Sequence, residues 1–271
     1  MTISKFLYDE MTWPEIKEIV KENRVVLITT ATIEDHGPHL PLLTDAAIAW
    51  EVALRAAKRV ADDVVLMPPN PHGYSPHHAD FPGGIYIDGE TFAHYLMDIT
   101  DSLIRHGFKK ILIFNAHGSN EPWINIVARL TVVNHPDKEV WCSVANLEGI
   151  SEYRKALKEI LTVPGGTNHA CESETSLMLV IRPDLVEMTK AKREIPLWSD
   201  GAPHDAPSNV DRPFIWGGEW WSSMTESGIL GDPTAATKEK GERLLDAQVS
   251  ALVQIIKSAK AWKIRGRIDH H

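Results

Sequence analysis

The residues of this chain that could do chemistry crowd into one stretch, Glu34-Asp35-His36-Gly37-Pro38-His39-Leu40-Pro41-Leu42-Leu43-Thr44-Asp45. Glu34 and Asp45 stand there with His36 and His39, and Asp35 adds a further carboxylate. Carboxylate and imidazole together suit divalent transition metals, imidazole favouring Zn and carboxylate widening the choice toward Mn and Mg. The blander reading is a polar turn with Asp45 as a helix cap. Three later loops offer groups of the same kind. His117 follows the apolar run Lys110-Ile111-Leu112-Ile113-Phe114-Asn115, although a turn histidine facing solvent fits that position as well. In Asn168-His169-Ala170-Cys171-Glu172-Ser173-Glu174-Thr175, His169 and Glu174 could serve as acid/base group and ligand. Alternatively Thr167 or Asn168 caps a helix and the glutamates face its N-terminal dipole. Ser75-Pro76-His77-His78 offers contacts to substrate or to ligands, with His72 and His77 read as surface turn residues.

The apolar pattern supplies elements to position these loops. Val25-Val26-Leu27-Ile28-Thr29-Thr30-Ala31 has strand composition and leads directly into the first cluster. In open α/β sheets the loop at a parallel strand's carboxyl end borders the crevice where ligands bind. Residues 13–22 read as a helix, with Thr12 as N-cap and Pro14 at its first position. Residues 45–61 carry apolar side chains at helical spacing, so Asp45 could cap that helix and still face the site. Val64-Val65-Leu66-Met67 is a strand stopped by Pro68-Pro69, and a turn-rich stretch follows over residues 70–84. Further helices are expected at about 90–105, 122–133, 151–161, 176–181 and 237–262, with strands at 110–115 and 140–145. Strand, loop and helix repeating in this way predict βαβ units. The expected fold is α/β, a mainly parallel sheet flanked by helices on both faces. No GxGxxG or GxxxxGK[ST] follows a strand, which removes the usual nucleotide-binding readings.

Residues 194–231 differ in character, rich in Pro, Gly and Ser and holding Trp198, Trp216, Trp220 and Trp221. A loop this long in a compact domain is usually functional or disordered. Four tryptophans favour a packed excursion near the site, with Trp220 and Trp221 as contacts to substrate.

Apolar content of 43% and charged content of 24% over 271 residues are ordinary for a globular protein. A formal charge of −9, without a basic stripe, argues against nucleic acid as partner. Cys142 and Cys171 provide no disulfide framework and fit a reducing compartment. No apolar run approaches the roughly 18 residues of a membrane span, and the N-terminus lacks a signal-peptide pattern. These features predict a cytoplasmic protein with no membrane partner. His270 and His271 resemble part of a purification tag and are set aside.

Five ordered motifs carry a family resemblance: Glu34-x-His36-Gly37-x-His39-Leu40-Pro41-x-x-Thr44-Asp45, Gly73-Tyr74-Ser75-x-x-His78-x-x-Phe81-Pro82-Gly83, Asn115-x-His117-Gly118-x-Asn120, His169-Ala170-x-x-x-Glu174-Thr175-Ser176 and Gly231-Asp232-Pro233-x-x-Ala236-Thr237-x-x-Lys240-Gly241. Together they resemble the creatininase (creatinine amidohydrolase) family over nearly the whole chain. The resemblance implies one creatininase-like αβα domain over residues 1–271, two divalent metal ions per chain (Zn, Mn or Fe), and a cytoplasmic homo-oligomer, hexameric in creatininase itself. Glu34, His36, Asp45 and His117 match the family's metal ligands, with Asp45 bridging, and His169 matches its proton-transfer histidine. Two positions depart from creatininase proper. Ser119 stands where it has a glutamate ligand, and Gly165 where it has a tryptophan against the substrate. Glu174, or else Glu172, is then the candidate fifth ligand, while His39, Ser75, His78 and Ser119 are candidate supporting or substrate-contacting residues.

The expected function is hydrolytic opening of a small cyclic amide or related C–N bond by a metal-activated water. Within the family, the alternative is C–C hydrolysis of an oxidised inositol such as 3-dehydro-scyllo-inosose. A reading of another class is a metal-binding assembly protein without turnover. Other branches of the family act on pyrimidine-linked formamides and on peptide precursors of redox cofactors, so the substrate does not transfer with the fold.

Overall fold

The computed structural model describes residues 5–163, 167–195 and 220–271. Its main sheet consists of β1 (Val25–Thr30), β2 (Val64–Leu66), β3 (Lys110–Asn115) and β4 (Trp141–Ala145), all parallel, in the order β2-β1-β3-β4. Alternation along these strands divides the core in two. Val25 and Leu27, Val64 and Leu66, and Leu112 and Phe114 pack on one face with α2 (Thr44–Arg59), α5 (Ser151–Ile160), α6 (Glu172–Ile181) and α8 (Lys238–Ala261). Val26, Ile28, Val65, Ile111 and Ile113 pack on the other with α1 (Trp13–Ile19), α3 (Gly89–His106) and α4 (Glu121–Val133). Side chains buried on both faces leave the strands as continuous apolar runs, each full burial stabilising by about 1.5–3 kcal/mol. The fold is therefore the expected parallel sheet between two helical layers.

Register decides where the chemistry falls. Thr30 lies opposite Asn115, so β1 and β3 end level and the loops carrying Glu34, His36 and His117 leave the sheet side by side. A short antiparallel ribbon, β5 (Thr167–His169) with β6 (Leu230–Gly231), delivers His169 to the same region.

Local expectations need three corrections. Residues 13–22 form α1 followed by a tighter 3₁₀ turn, Val20–Glu22. Asp45 does not cap α2: Leu43 occupies the cap position, and the Asp45 carboxylate, inside the first turn, is taken by Thr32 and His36. The last of the βα helices starts at Glu172 rather than 176, with Cys171 in the cap position, and Thr167 and Asn168 belong to β5, too far ahead of the first turn to cap it. Of the tryptophan-bearing excursion, Trp220 and α7 (Trp221–Met224) lie within the described residues. Trp198, Trp216 and Gly165 lie outside them. Among the described residues no helix is long and apolar enough to cross a membrane.

Candidate metal centre

The loop after β1 turns at Gly37, whose φ of +65° suits glycine, and its two ends bring Glu34, His36 and Asp45 together. The loops are tied to one another by side-chain amides. Asn120 donates to the Ala31 carbonyl at 3.3 Å and accepts from the Tyr74 N–H at 2.8 Å, linking the loops after β3, β1 and β2. Gly73 permits this approach, since a Cβ there would collide with the Ala31 carbonyl and the Asn120 amide.

Four groups of ligand atoms result among the described residues: besides Glu34 with His36 and His169, and Asp35 with His78 and His169, there are two built on Asp45, Glu34 with Asp45 and His117, and His36 with Asp45 and Glu174. Within each group the atoms lie within 4.8 Å of one another. Asp45 belongs to both of the latter, and its two oxygens are divided between them. Oδ1 lies 3.1 Å from His36 Nε2, and Oδ2 lies 3.3 Å from His117 Nδ1. His117 Nδ1 is also 3.1 Å from Glu34 Oε1, and His36 Nε2 is 3.9 Å from Glu174 Oε1. The outer carboxylates are each gripped by one oxygen. Ser75 Oγ donates to Glu34 Oε2, and the Ala170 N–H donates to Glu174 Oε2, leaving both Oε1 atoms directed inward. Ala170 is a non-glycine residue at φ +51°, a conformation costing about 1–2 kcal/mol, and it turns that N–H onto Glu174.

The electrostatics are those of a cation site. Burial opposes charge on His36 and His117, but Asp45 and Glu174 around the first, and Glu34 and Asp45 around the second, hold both imidazoles up at about 10. Burial opposes ionisation of Asp45 too, yet His36 and His117 bring its carboxyl down to about 2. Glu34 is likewise held low by His117, His78 and His169 against its burial. Glu174 is pushed up to about 7, by burial first and by neighbouring carboxylates after it. Glu34 Oε1 is buried and lacks a well-formed hydrogen bond, its charge being met by the His117 imidazole at 3.1 Å with His169 at 3.8 Å. Three carboxylates and two imidazoles arranged in two groups around one shared carboxylate fit divalent metal as their counter-charge.

His169 sits beside the two groups, its ring 4.3 Å from that of His36. Its Nε2–H donates to the Asp35 carbonyl at 2.7 Å, so Nδ1, 3.8 Å from Glu34 Oε1, is the free acceptor. Burial and the nearby His36 charge bring it down to about 3, which keeps it neutral. His78 Nδ1 pairs with Asp35 Oδ1 at 2.7 Å, and its ring stacks on Trp221 at 4.6 Å and 20°. Trp221 in turn donates from Nε1 to the Gly228 carbonyl at 3.3 Å and meets His169 edge-on at 4.9 Å.

Other expected site residues lie further out. His39 Nε2 pairs with Thr175 Oγ1 at 2.9 Å, tying the first loop to α6 rather than reaching the carboxylates. Ser119 Oγ pairs with His77 Nε2 at 3.1 Å. Trp220 is 56% exposed, whereas its neighbour Trp221 is buried. His77 is a correction to its reading as a surface residue: it is partly buried, with His78 and Trp221 against its ring. Asp35 was legible only as an extra carboxylate, yet it orients both His78 and His169. Its position between Glu34 and His36 was the available signal.

Glu172 is fully committed elsewhere, which removes it as the fifth ligand. It accepts from the Thr162 N–H at 3.1 Å, Thr162 Oγ1 at 2.9 Å, the Val163 N–H at 3.2 Å and Lys240 Nζ. Lys240→Met strands this buried carboxylate and is expected to destabilise the fold by about 3–5 kcal/mol, read from urea unfolding. A loss below about 1 kcal/mol would mean that the pair is solvated.

A sequence profile of the family described as creatinine amidohydrolase matches residues 9–256. The chain is 31% identical over 240 residues to the mycofactocin precursor peptide peptidase of Mycolicibacterium smegmatis, covering 86% of this chain and 84% of that one. It is 25% identical over 271 residues to the 3-dehydro-scyllo-inosose hydrolase of Thermotoga maritima, covering 92% and 82%. Among solved structures, a manganese creatininase superposes with a TM-score of 0.79 over 95% of this chain and 99% of that one, at 22% identity, a likeness of fold. With the family profile spanning most of its length, this chain belongs to the creatininase family of hydrolases.

Proposed function

We propose that this hydrolase uses two divalent ions, Zn, Mn or Fe, to break the C–N bond of a small cyclic amide or a related amide such as a peptide. The observation that carries the proposal is the pair of ligand groups sharing Asp45 beside a neutral, oriented His169. Glu34 and His117 would hold one ion, His36 and Glu174 the other, with Asp45 between them. Ions bound there would supply Lewis acidity and a water of lowered pKa. His169 Nδ1 takes a proton from the attacking water and passes it to the departing nitrogen. Asp35 keeps His169 in the tautomer that leaves Nδ1 open. His78 and Trp221 close one side of the site and exclude water. The family description and the peptidase relative both concern amide bonds, which supports C–N cleavage. The likeness to the inosose hydrolase favours C–C hydrolysis of an oxidised inositol as the second reading.

The test is a panel of cyclic amides, short peptides, formamides and oxidised inositols offered to metal-loaded protein, with and without chelator. Turnover of an amide that chelation abolishes and added metal restores is expected, and it would also exclude a non-catalytic assembly protein. Inertness toward every amide would overturn the C–N reading. Homo-oligomeric assembly is part of the same proposal and is read by light scattering.

Glu174→Gln should reduce bound metal from two ions per chain toward one while circular dichroism stays unchanged. Unaltered metal affinity would leave Glu174 as a first-turn helix residue. Trp221→Ala should lower kcat/KM by about tenfold or more, equivalent to ~1.4 kcal/mol of transition-state binding. Trp220→Ala, at an exposed position, should act on the oligomer instead. Equal kinetic losses in the two variants would assign both side chains to the pocket.

A further inference from the structure

Lys110 opens β3, the strand that leads at its other end to His117. It is buried, and its ammonium donates to the Lys260 carbonyl. The Lys260 ammonium donates to the Glu22 carbonyl at 2.8 Å. Among the described residues neither lysine makes an ion pair; each is satisfied by backbone carbonyls alone. Both line a cavity of about 680 Å³ together with Lys21, Lys109, Trp262 and Lys263. Lys21 and Lys109 are neutralised by Glu18 and Glu139. Lys263 is exposed and forms no ion pair among the described residues. Three lysines without an ion pair among the described residues thus border one cavity, although Glu139 also lines it and Asp63, Glu22 and Asp62 attract the Lys260 ammonium from nearby. Burial and the neighbouring Lys260 hold Lys110 below the usual lysine range, the direction expected of a cation lacking its counter-ion. At the rim Trp262 is 57% exposed, with the Trp141 ring 6.3 Å from its own. Six strand residues, roughly 20 Å, separate this end of β3 from the metal centre.

A carbonyl satisfies a donor but does not balance its charge, and a sheltered ammonium gains most from an anion. A doubly charged phosphate group can accept from several neighbouring ammonium groups at once, where a single carboxylate balances one. We propose that this cavity binds a small phosphate-bearing anion, with Lys110, Lys260 and Lys263 as its cationic contacts and Trp262 against its uncharged part.

The probes are inorganic phosphate and pyrophosphate, titrated into the metal-loaded protein by calorimetry and followed by tryptophan fluorescence at low ionic strength. Saturable binding is expected with Kd at or below about 1 mM, weakened at least tenfold in Lys110→Met and in Lys263→Glu. Lys263→Glu alters an exposed side chain, so it tests the proposal even if Lys110→Met fails to fold. Metal content equal to wild type would show that the distant centre is intact in the variants. Absence of saturable binding would overturn the proposal and leave Lys110 as a buried lysine held by the Lys260 carbonyl alone. Binding that survives undiminished in Lys263→Glu would also overturn it.

Discussion

Asp45→Ala is expected to release both metal ions together and to reduce hydrolysis to below about a thousandth of the wild-type rate. The expectation follows from the division of its oxygens, Oδ1 toward His36 and Oδ2 toward His117, so that one deletion opens both ligand groups. Glu174 belongs to only one of the two groups built on Asp45, which is why Glu174→Gln should cost one ion and Asp45→Ala both. Asp45→Asn supplies a control for folding, because it keeps the volume and an oxygen for the Thr32 hydroxyl while removing the charge. It should bind metal weakly and unfold with wild-type cooperativity. Were Asp45 only a helix-terminal residue, the alanine variant would lose about 1 kcal/mol of stability and retain its metal. Two ions counted in folded Asp45→Ala would establish that role.

His169→Asn is expected to lower kcat by about 10²–10⁴-fold with the metal content unchanged. Its Nε2–H is committed to the Asp35 carbonyl and its Nδ1 faces the ligand groups, the geometry of a positioned proton carrier. The same histidine also falls within ligand distance of Glu34 and His36, so a role as ligand has to be separated from a role in proton transfer. Elemental analysis separates them. Activity lost with both ions in place assigns proton transfer, and an ion lost along with the activity assigns ligation.

The parts of this structure that were legible in sequence are those written in local patterns. Within the run over Lys110–Asn115, Ile111 to Phe114 are all apolar because the strand is covered on both faces, and β3 has the expected bounds. The level ends of β1 and β3 follow from parallel pairing, and they bring His117 to Glu34 as the strand-end argument expected. What local pattern could not supply were contacts between distant segments. Glu172 and Glu174 are two residues apart at the start of one helix, and nothing nearby tells them apart. Lys240, far along the chain, takes Glu172. The Ala170 N–H aims Glu174 through a left-handed turn. Asp45 read as a cap because acidic residues at helix starts usually are, whereas here Thr32, His36 and His117 claim its carboxylate. His77 read as a surface turn residue because Pro and Gly surround it. Its burial comes from Trp221, brought in by a segment well over a hundred residues later. The pairing of β5 with β6 was missed for a similar reason, since strands of two or three residues leave too short a period to detect.

The most direct test is anomalous diffraction from crystals of the Mn- or Zn-loaded protein. Two peaks are expected about 3.5–4 Å apart, one against Glu34 and His117, the other against His36 and Glu174, with one Asp45 oxygen directed at each. A single peak at full metal loading, or a pair in which Asp45 touches only one, would contradict the shared-carboxylate centre.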